Sequence, residues 1–283
     1  MVKFIKNCIP HRFCSSKTEI PVVRLHGAII DSNSSITRSL SLGRCANLLD
    51  KAFAYKKAPA VALIINSPGG SPVQSRLIFK RIRDLAEEKK KQVLIFIEDI
   101  AASGGYMIAC AGDEIFADPS SIVGSIGVVT TSFGFPELLK KIGVERRVYT
   151  AGKNKVTLDP FQPEKKADID HLKSLQLEVH QTFIDLVKER RAEKLSNDPN
   201  IFTGMFWSGK KGVELGLIDG LNDVRSVIKE RFGDDAKLRL ITPPKSLFGP
   251  KAPAGVTAYA VHTAIDSAVT VAQERALWQH YGL

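Results

Sequence analysis

The chain has 283 residues, which is enough for one large domain or two small ones with a sizeable core. Hydrophobic residues make up 44% and charged residues 25%, a composition that excludes a fibrous or low-complexity protein. The net charge of +10 would suit an anionic membrane surface or nucleic acid, but the basic residues are dispersed and no nucleic-acid-binding motif accompanies them. We therefore expect no nucleic-acid partner and leave open a peripheral contact with an anionic membrane.

The beginning of the chain carries no recognisable export signal. The stretch MVKFIKNCIPHRFCSSK mixes basic and apolar residues and lacks the apolar centre of a secretory signal. No apolar run reaches the roughly 18–20 residues that span a bilayer. The four cysteines form neither a C-x-x-C pair nor a zinc pattern, which indicates a reducing compartment. These features predict a cytoplasmic protein, at most peripheral to a membrane, with no metal or other cofactor.

Strands and helices alternate from residue 20 onward. IPVVRLHGAII (20–30) is rich in β-branched residues and is a predicted strand. PAVALIIN (59–66) and QVLIFIE (92–98) are unbroken apolar runs, which are typical of strands buried on both faces. The segments between them, 34–55 and 73–91, have apolar residues at helical spacing. This order predicts an α/β fold with a mostly parallel sheet flanked by helices.

The second half of the chain is predicted to be richer in helices. A strand is predicted at 144–152, and a helix at 163–194 carries one apolar stripe, formed by Ile169, Leu172, Leu175, Val179, Phe183 and Leu186. A further helix is predicted at 256–278. We divide the chain into a flexible leader (1–18), an α/β domain (19–233), and a linker with a helical C-terminal extension (234–283).

Two glycine-rich turns follow neighbouring predicted strands. They read NSPGGS (66–71) and AASGGY (101–106). Parallel strands end at the same edge of a sheet, so both turns should emerge together. A Gly-Gly turn can present backbone N–H groups to an oxyanion, and Ser103 opens a predicted short helix whose N-terminus favours negative charge. The pair therefore predicts acyl-transfer chemistry with Ser103 as the nucleophile.

The general base is less obvious from the residues alone. No histidine lies in a glycine-rich turn, although a Ser-His-Asp triad assembled in space stays open, with His26 as its first candidate. The other known base for a serine is a lysine held neutral by burial. The turn TAGKNKVTLDPF (150–161) presents two candidates, Lys153 and Lys155.

These motifs occur together in an order and spacing that resembles one family. The matching stretches are NSPGG (66–70), ASGGY (102–106), DPSSIVGSIGV (118–128), GKNK with DPF (152–161) and FTG with VELGLID (202–219). The chain resembles the signal-peptide peptidase A family of serine–lysine peptidases, built on the fold shared by Clp protease and crotonase. The resemblance spans about residues 20–232.

The resemblance implies roles for individual residues. It makes Ser103 the nucleophile, Lys155 the general base with Lys153 as the competing lysine, Gly70 and Gly104 the oxyanion-hole donors, and Ser125 the residue that orients the lysine. The substrates of the family are apolar, unstructured peptides such as cleaved signal peptides, and its members typically form ring-like homo-oligomers. They usually carry an N-terminal membrane anchor, and from the sequence we expect none here.

Two other functions remain as alternatives. Crotonase-type enzymes use similar glycine-rich loops to hold the thioester oxyanion of an acyl-CoA, usually with carboxylates as acid and base. A non-catalytic scaffold that binds membranes through its basic surface is the third interpretation. A serine at the nucleophile position favours the serine endopeptidase over both.

Overall fold

A computed structural model of the chain describes residues 18–31, 39–243, 271–272 and 274–283. The predicted leader, apart from its last residue, lies outside the described residues. So does most of the helix predicted at 256–278, of which residues 271–272 and 274–278 are described and helical. No helix in these ranges combines the length and apolarity that crossing a membrane requires.

The described residues form one sheet of eight strands. The strands are β1 (Glu19–His26), β2 (Ala60–Ser67), β3 (Gln92–Ala102), β4 (Glu114–Ala117), β5 (Ile122–Gly124), β6 (Phe206–Ser208), β7 (Gly220–Leu221) and β8 (Lys237–Leu240). Their order is β6-β5-β3-β2-β1-β8, with β4 beside the first half of β3 and β7 beyond β4. Every pair is parallel except β5 with β6.

Helices connect most of the parallel strands. They are α1 (Leu42–Phe53), α2 (Pro72–Lys89), α3 (Gly104–Ala109), α4 (Pro136–Lys141), α5 (Lys166–Arg191), α6 (Gly209–Glu214) and α7 (Val224–Phe232). A 3₁₀ turn, Ala192–Lys194, follows α5. The predicted α/β architecture, a mostly parallel sheet flanked by helices, is confirmed.

The central strands are apolar on both faces because the sheet is covered on both sides. In β3, Val93, Ile95 and Ile97 join a large cluster that also contains buried residues of α1, α2, α3 and α5. The alternating residues Leu94 and Phe96 join a smaller cluster with buried residues of α7. Side chains of successive strand residues point to opposite faces of the sheet. Because both faces are covered, successive residues along the centre of the strand are apolar, which gives an unbroken apolar run.

An irregularity in β3 shapes the edge at which the glycine-rich turns lie. Ile97 pairs with Ile65 of β2, but the next paired residues are Ala101 and Ser67, so β3 has two extra residues at this point. A bulge of this kind bends a strand and increases its twist. The first half of β3 pairs with β4 and the second half, Ile100–Ala102, with β5. The bulge thereby redirects the end of β3.

The structure differs from the sequence-based expectations in three places. The sheet continues past residue 233, where we placed the domain boundary, because β8 pairs with the start of β1. The strand predicted at 144–152 is wrong, since this segment is largely exposed and pairs with no described strand. In α5 the predicted apolar stripe is buried only at Phe183 and Leu186, whereas its N-terminal half has no buried residue.

A buried ion pair fixes the end of α5 to the sheet. Arg191, 2% exposed, donates to the carboxylate of Asp219 at 2.8 Å, and Lys194 donates to the same carboxylate at 2.7 Å. Asp219 also accepts the backbone N–H of Ile115 in β4. Burial opposes ionisation of Asp219, but the hydrogen bonds from Arg191 and Lys194 outweigh it and hold the pKa of Asp219 below its ordinary value.

We predict that Asp219→Asn lowers the free energy of unfolding by about 3 kcal/mol at pH 7, because it leaves Arg191 buried without its counter-charge. A carboxyl group with a depressed folded-state pKa stabilises the fold above its unfolded pKa, which is about 4. That contribution is lost as the pH falls through the lower folded-state value. The difference between parent and variant, measured by urea unfolding, should therefore shrink as the pH is lowered below about 4.

The matched control is Asp84→Asn, which removes an exposed pair with Lys80. It should cost less than about 1 kcal/mol. Equal losses for the two variants, or a difference for Asp219→Asn that does not depend on pH, would contradict the assigned role of the pair.

Candidate active site

Ser103 lies in a sharp turn between β3 and α3. Its backbone has φ 51° and ψ −123°, a conformation that a residue with a Cβ rarely adopts. Strain of this kind persists only where the surroundings enforce it, and it is frequent at active sites. A strand that turns directly into a helix at a serine presents the hydroxyl at the top of the sheet, as in enzymes with a nucleophilic serine.

Hydrogen bonds hold the turn in this conformation. The N–H of Ser103 donates to the carbonyl of Gly124 at 2.8 Å, and the N–H of Met107 donates to the carbonyl of Ser103 at 3.0 Å. The side chain of Ser103 does not cap α3. The backbone is therefore fixed by its neighbours, while the half-buried hydroxyl is left for chemistry.

The small residues around Ser103 are a consequence of close packing. A Cβ added to Gly69, which has φ 98°, would lie 2.8 Å from the Cβ of Ser103. A Cβ added to Gly105 would lie 2.4 Å from the carbonyl oxygen of Ser67 in β2. The two glycine-rich turns are thus in direct contact, as their positions after neighbouring strands predicted.

The predicted oxyanion donors lie on the two sides of this contact. Ile29 forms a parallel bridge with Gly70 by donating to the carbonyl of Gly69 and accepting from the N–H of Ser71, both at 2.8 Å. These bonds leave the N–H of Gly70 itself outside the bridge. Gly104 is the first residue of α3, where a backbone N–H has no partner within the helix. Both groups are chemically suited to bind an oxyanion beside Ser103.

Ser125 immediately follows β5, whose last residue, Gly124, also binds Ser103. It too has a positive φ, 54°, and its N–H donates to the carbonyl of Met205 at 2.7 Å. Ser125 is 9% exposed, and its Oγ accepts a hydrogen bond from the hydroxyl of Tyr281 at 3.0 Å. The structure therefore brings Ser125 to the same edge as Ser103, with a tyrosine as its partner.

In the part of the chain that the structure describes, no hydrogen bond joins either candidate lysine to Ser103. Lys153 and Lys155 are exposed and lie in a turn within residues 128–165, a segment that we call the arm, in which no residue is buried. Among the described residues, the side chain of Lys155 takes part in no hydrogen bond or ion pair. Of the five predicted site residues, Ser103, Gly70, Gly104 and Ser125 lie at the same edge of the sheet, and no described hydrogen bond joins the side chain of Lys155 to them.

Sequence reasoning missed four aromatic residues at this edge. Trp278 packs against His26, with ring centroids 5.8 Å apart, and Phe206 contacts both His280 and Tyr281. The aromatic stretch WQHY (278–281) is the one signal in the sequence that could have drawn attention to them. Its position far along the chain from the glycine-rich turns gives no indication that it returns to them.

Comparisons with known proteins identify the family to which the chain belongs. Residues 85–238 match the model of peptidase family S49. "Serine protease SPPA, chloroplastic" of Arabidopsis thaliana is 31% identical over 225 residues, covering 76% of this chain and 32% of that protein. "Protease 4" of Haemophilus influenzae is 30% identical over 212 residues, covering 75% of this chain and 34% of that protein.

A more similar relative is much longer than this chain. "Na(+)/H(+) antiporter NhaA" of Brucella abortus is 62% identical over 286 residues, covering 99% of this chain but 39% of that protein. This chain thus spans about two fifths of the relative, whose name describes the whole protein. The family match covers more than half of this chain and is independent of that name. The chain belongs to peptidase family S49, the signal-peptide peptidase A family of serine peptidases.

Proposed function

We propose that the protein is a serine endopeptidase that uses a Ser103–Lys155 dyad to cleave apolar, unstructured peptides such as signal-peptide remnants. The observation that carries the proposal is the strained turn at Ser103, packed against the Gly69–Gly70 turn. This arrangement supplies the half-buried hydroxyl of Ser103 and the backbone N–H groups of Gly70 and Gly104 within one small region. Family membership supports the same chemistry.

In the proposed reaction, the Oγ of Ser103 attacks the peptide carbonyl while its proton passes to the neutral amine of Lys155. The N–H groups of Gly70 and Gly104 stabilise the tetrahedral oxyanion. Lys155 then protonates the departing amine, and the acyl-enzyme forms. Water, deprotonated by the same amine, hydrolyses the ester and restores Ser103. Ser125 would orient the lysine through a hydrogen bond.

The exposed arm must be covered before Lys155 can serve as a base. Burial favours the neutral form of a lysine, and solvent favours the charged form. The arm exposes many large apolar side chains, among them Val129, Phe133, Ile142 and Tyr149, each at least 60% exposed. Large exposed apolar surfaces mark interaction sites. We propose a homo-oligomer in which a neighbouring copy covers the arm and desolvates Lys155.

The alternatives receive less support from the site. An acyl-CoA enzyme of the crotonase type would place carboxylates at the reacting centre, whereas here a strained serine occupies it. A non-catalytic scaffold would not need the strained backbone, with positive φ, that Ser103 and Ser125 both have at the same edge of the sheet. We propose a cytoplasmic location, at most peripheral to a membrane, for which the net charge of +10 is suitable.

The first test replaces the proposed nucleophile. Ser103→Ala should lower the cleavage rate of an internally quenched apolar peptide by at least about a thousandfold. Its stability should change by less than about 1 kcal/mol, because the side chain is small and does not cap the helix. The control is Ser174→Ala on the exposed face of α5, which should leave the rate unchanged. A folded Ser103→Ala protein that retains turnover would refute the proposal.

The second test separates the two lysines. Lys155→Arg should reduce kcat by at least about a hundredfold, because arginine keeps the charge but does not give up a proton in a protein. Lys153→Arg should stay within about twofold of the parent, as expected for a solvated cation. The reverse pattern would make Lys153 the base. Full activity in both variants would exclude either lysine as the base, and a histidine such as His26 would become the candidate base.

The third test asks which copy supplies the lysine. Ser103→Ala and Lys155→Ala chains are each expected to be inactive. If a neighbouring copy supplies Lys155, a co-refolded equal mixture should regain about a quarter of the parent activity, the chance that one site receives both intact residues. A mixture that stays inactive would show that each chain completes its own site.

A further inference from the structure

Residues 274–283 pack one face against the candidate site, and we call them the covering segment. The half-buried residues recur at helical spacing and are Glu274, Leu277, Trp278 and Tyr281. The residues between them are exposed and include Arg275, Ala276, Gln279 and His280. Spacings of three and four residues place side chains on one side of a helix, so the segment has a single inner face.

The inner face contacts both flanks of the site. The ring of Trp278 lies 5.8 Å from that of His26, the last residue of β1. The ring of Tyr281 lies edge-on to Phe206, the first residue of β6, with centroids 5.0 Å apart. The hydroxyl of Tyr281 donates to the Oγ of Ser125, directly after β5.

The sheet order shows what lies between these contacts. From β1 the sheet runs through β2 and β3 to β5 and β6. The carboxyl ends of β2 and β3 lead to Gly70 and Ser103. A segment that contacts the end of β1 on one side and the edge of β5 and β6 on the other therefore spans the part of the sheet edge from which both turns emerge. The covering segment therefore lies where a peptide would have to enter.

The hydrogen bond from Tyr281 to Ser125 conflicts with the proposed role of Ser125 in binding the lysine. In the proposed mechanism the lysine amine donates to the Oγ of Ser125, and the Tyr281 hydroxyl fills that place in this structure. Ser125 is 9% exposed, so there is little room for a second partner. Burial raises the pKa of Tyr281 more than its bond to Ser125 lowers it, so the hydroxyl remains a donor at neutral pH.

We propose that the covering segment is an autoinhibitory cap, which a peptide substrate must displace before Lys155 can reach Ser125 and Ser103. The inner face of the cap carries the apolar and aromatic side chains of Leu277, Trp278 and Tyr281, and through them it competes with apolar substrates. The inference rests on the proposed peptidase function of the same site. It predicts competition with substrate, which a merely structural helix would not produce.

The experiment compares full-length chains on the internally quenched apolar peptide. In Trp278→Ala/Tyr281→Ala the apparent KM should fall at least about fivefold with kcat little changed, because an internal competitor lowers only the fraction of open sites. Tyr281→Phe keeps the ring and loses the hydroxyl, and its kcat/KM should rise about two- to tenfold, as the loss of one hydrogen bond allows. The matched control, Gln279→Ala on the exposed face, should behave as the parent.

A second measurement does not depend on activity. A fluorescently labelled peptide with the sequence of residues 274–283 should bind the Trp278→Ala/Tyr281→Ala chain saturably, as followed by anisotropy. The same peptide with alanine in place of Tyr281 should bind at least about fivefold more weakly. In the cleavage assay the unmodified peptide should act as a competitive inhibitor.

The outcomes separate the two proposals. Equal KM values in parent and double variant, together with no binding of the peptide, would overturn the cap while leaving the peptidase intact. If no chain cleaves any peptide but the labelled segment still binds, the segment docks as described and the peptidase function fails. Faster cleavage by the double variant together with inhibition by the added peptide supports both.

Discussion

The candidate site depends on one backbone turn, in which Ser103 is held at a positive φ between β3 and α3. The turn is stable because the carbonyl of Gly124 binds its N–H and because Gly69 allows a second turn to pack against it. Any Cβ at Gly69 would collide with Ser103 itself. The same requirement for close packing explains the small residues on both sides of the serine. The proposed nucleophile and the proposed oxyanion donors thus depend on a single steric constraint.

This steric constraint accounts for only part of the proposed catalytic site. The rest of the proposed site involves the arm and the covering segment. The arm that carries Lys155 has no buried residue and exposes a large apolar surface, which is the kind of surface that marks an interaction site. The covering segment binds Ser125 through the hydroxyl of Tyr281. The strained turn at Ser103, the exposed arm that carries Lys155 and the segment bound to Ser125 together underlie our proposal that assembly and access control the activity.

The central strands and the glycine-rich turns that follow them could be predicted from the sequence because apolar runs and glycine pairs are local signals. Apolar runs located β2 to within one residue at each end and the start of β3, although β3 continues four residues beyond the predicted end. The rule that parallel strands end at one edge brought the turns at Gly70 and Ser103 together. The failures involve long-range contacts. Residues 144–152 have strand-like composition but no neighbouring strand to pair with, and the stripe on α5 extends beyond the body that would bury it. Nothing local indicates that Trp278 and Tyr281 return to the site.

The most direct test of the central claim is intact-mass spectrometry after treatment with a serine-directed fluorophosphonate. The account predicts one adduct per chain, which peptide mapping assigns to Ser103, and none on Ser103→Ala. Labelling should proceed faster in the Trp278→Ala/Tyr281→Ala chain than in the parent. An adduct on a different residue, or the absence of any adduct on the uncapped chain, would contradict the assignment of Ser103 as the nucleophile.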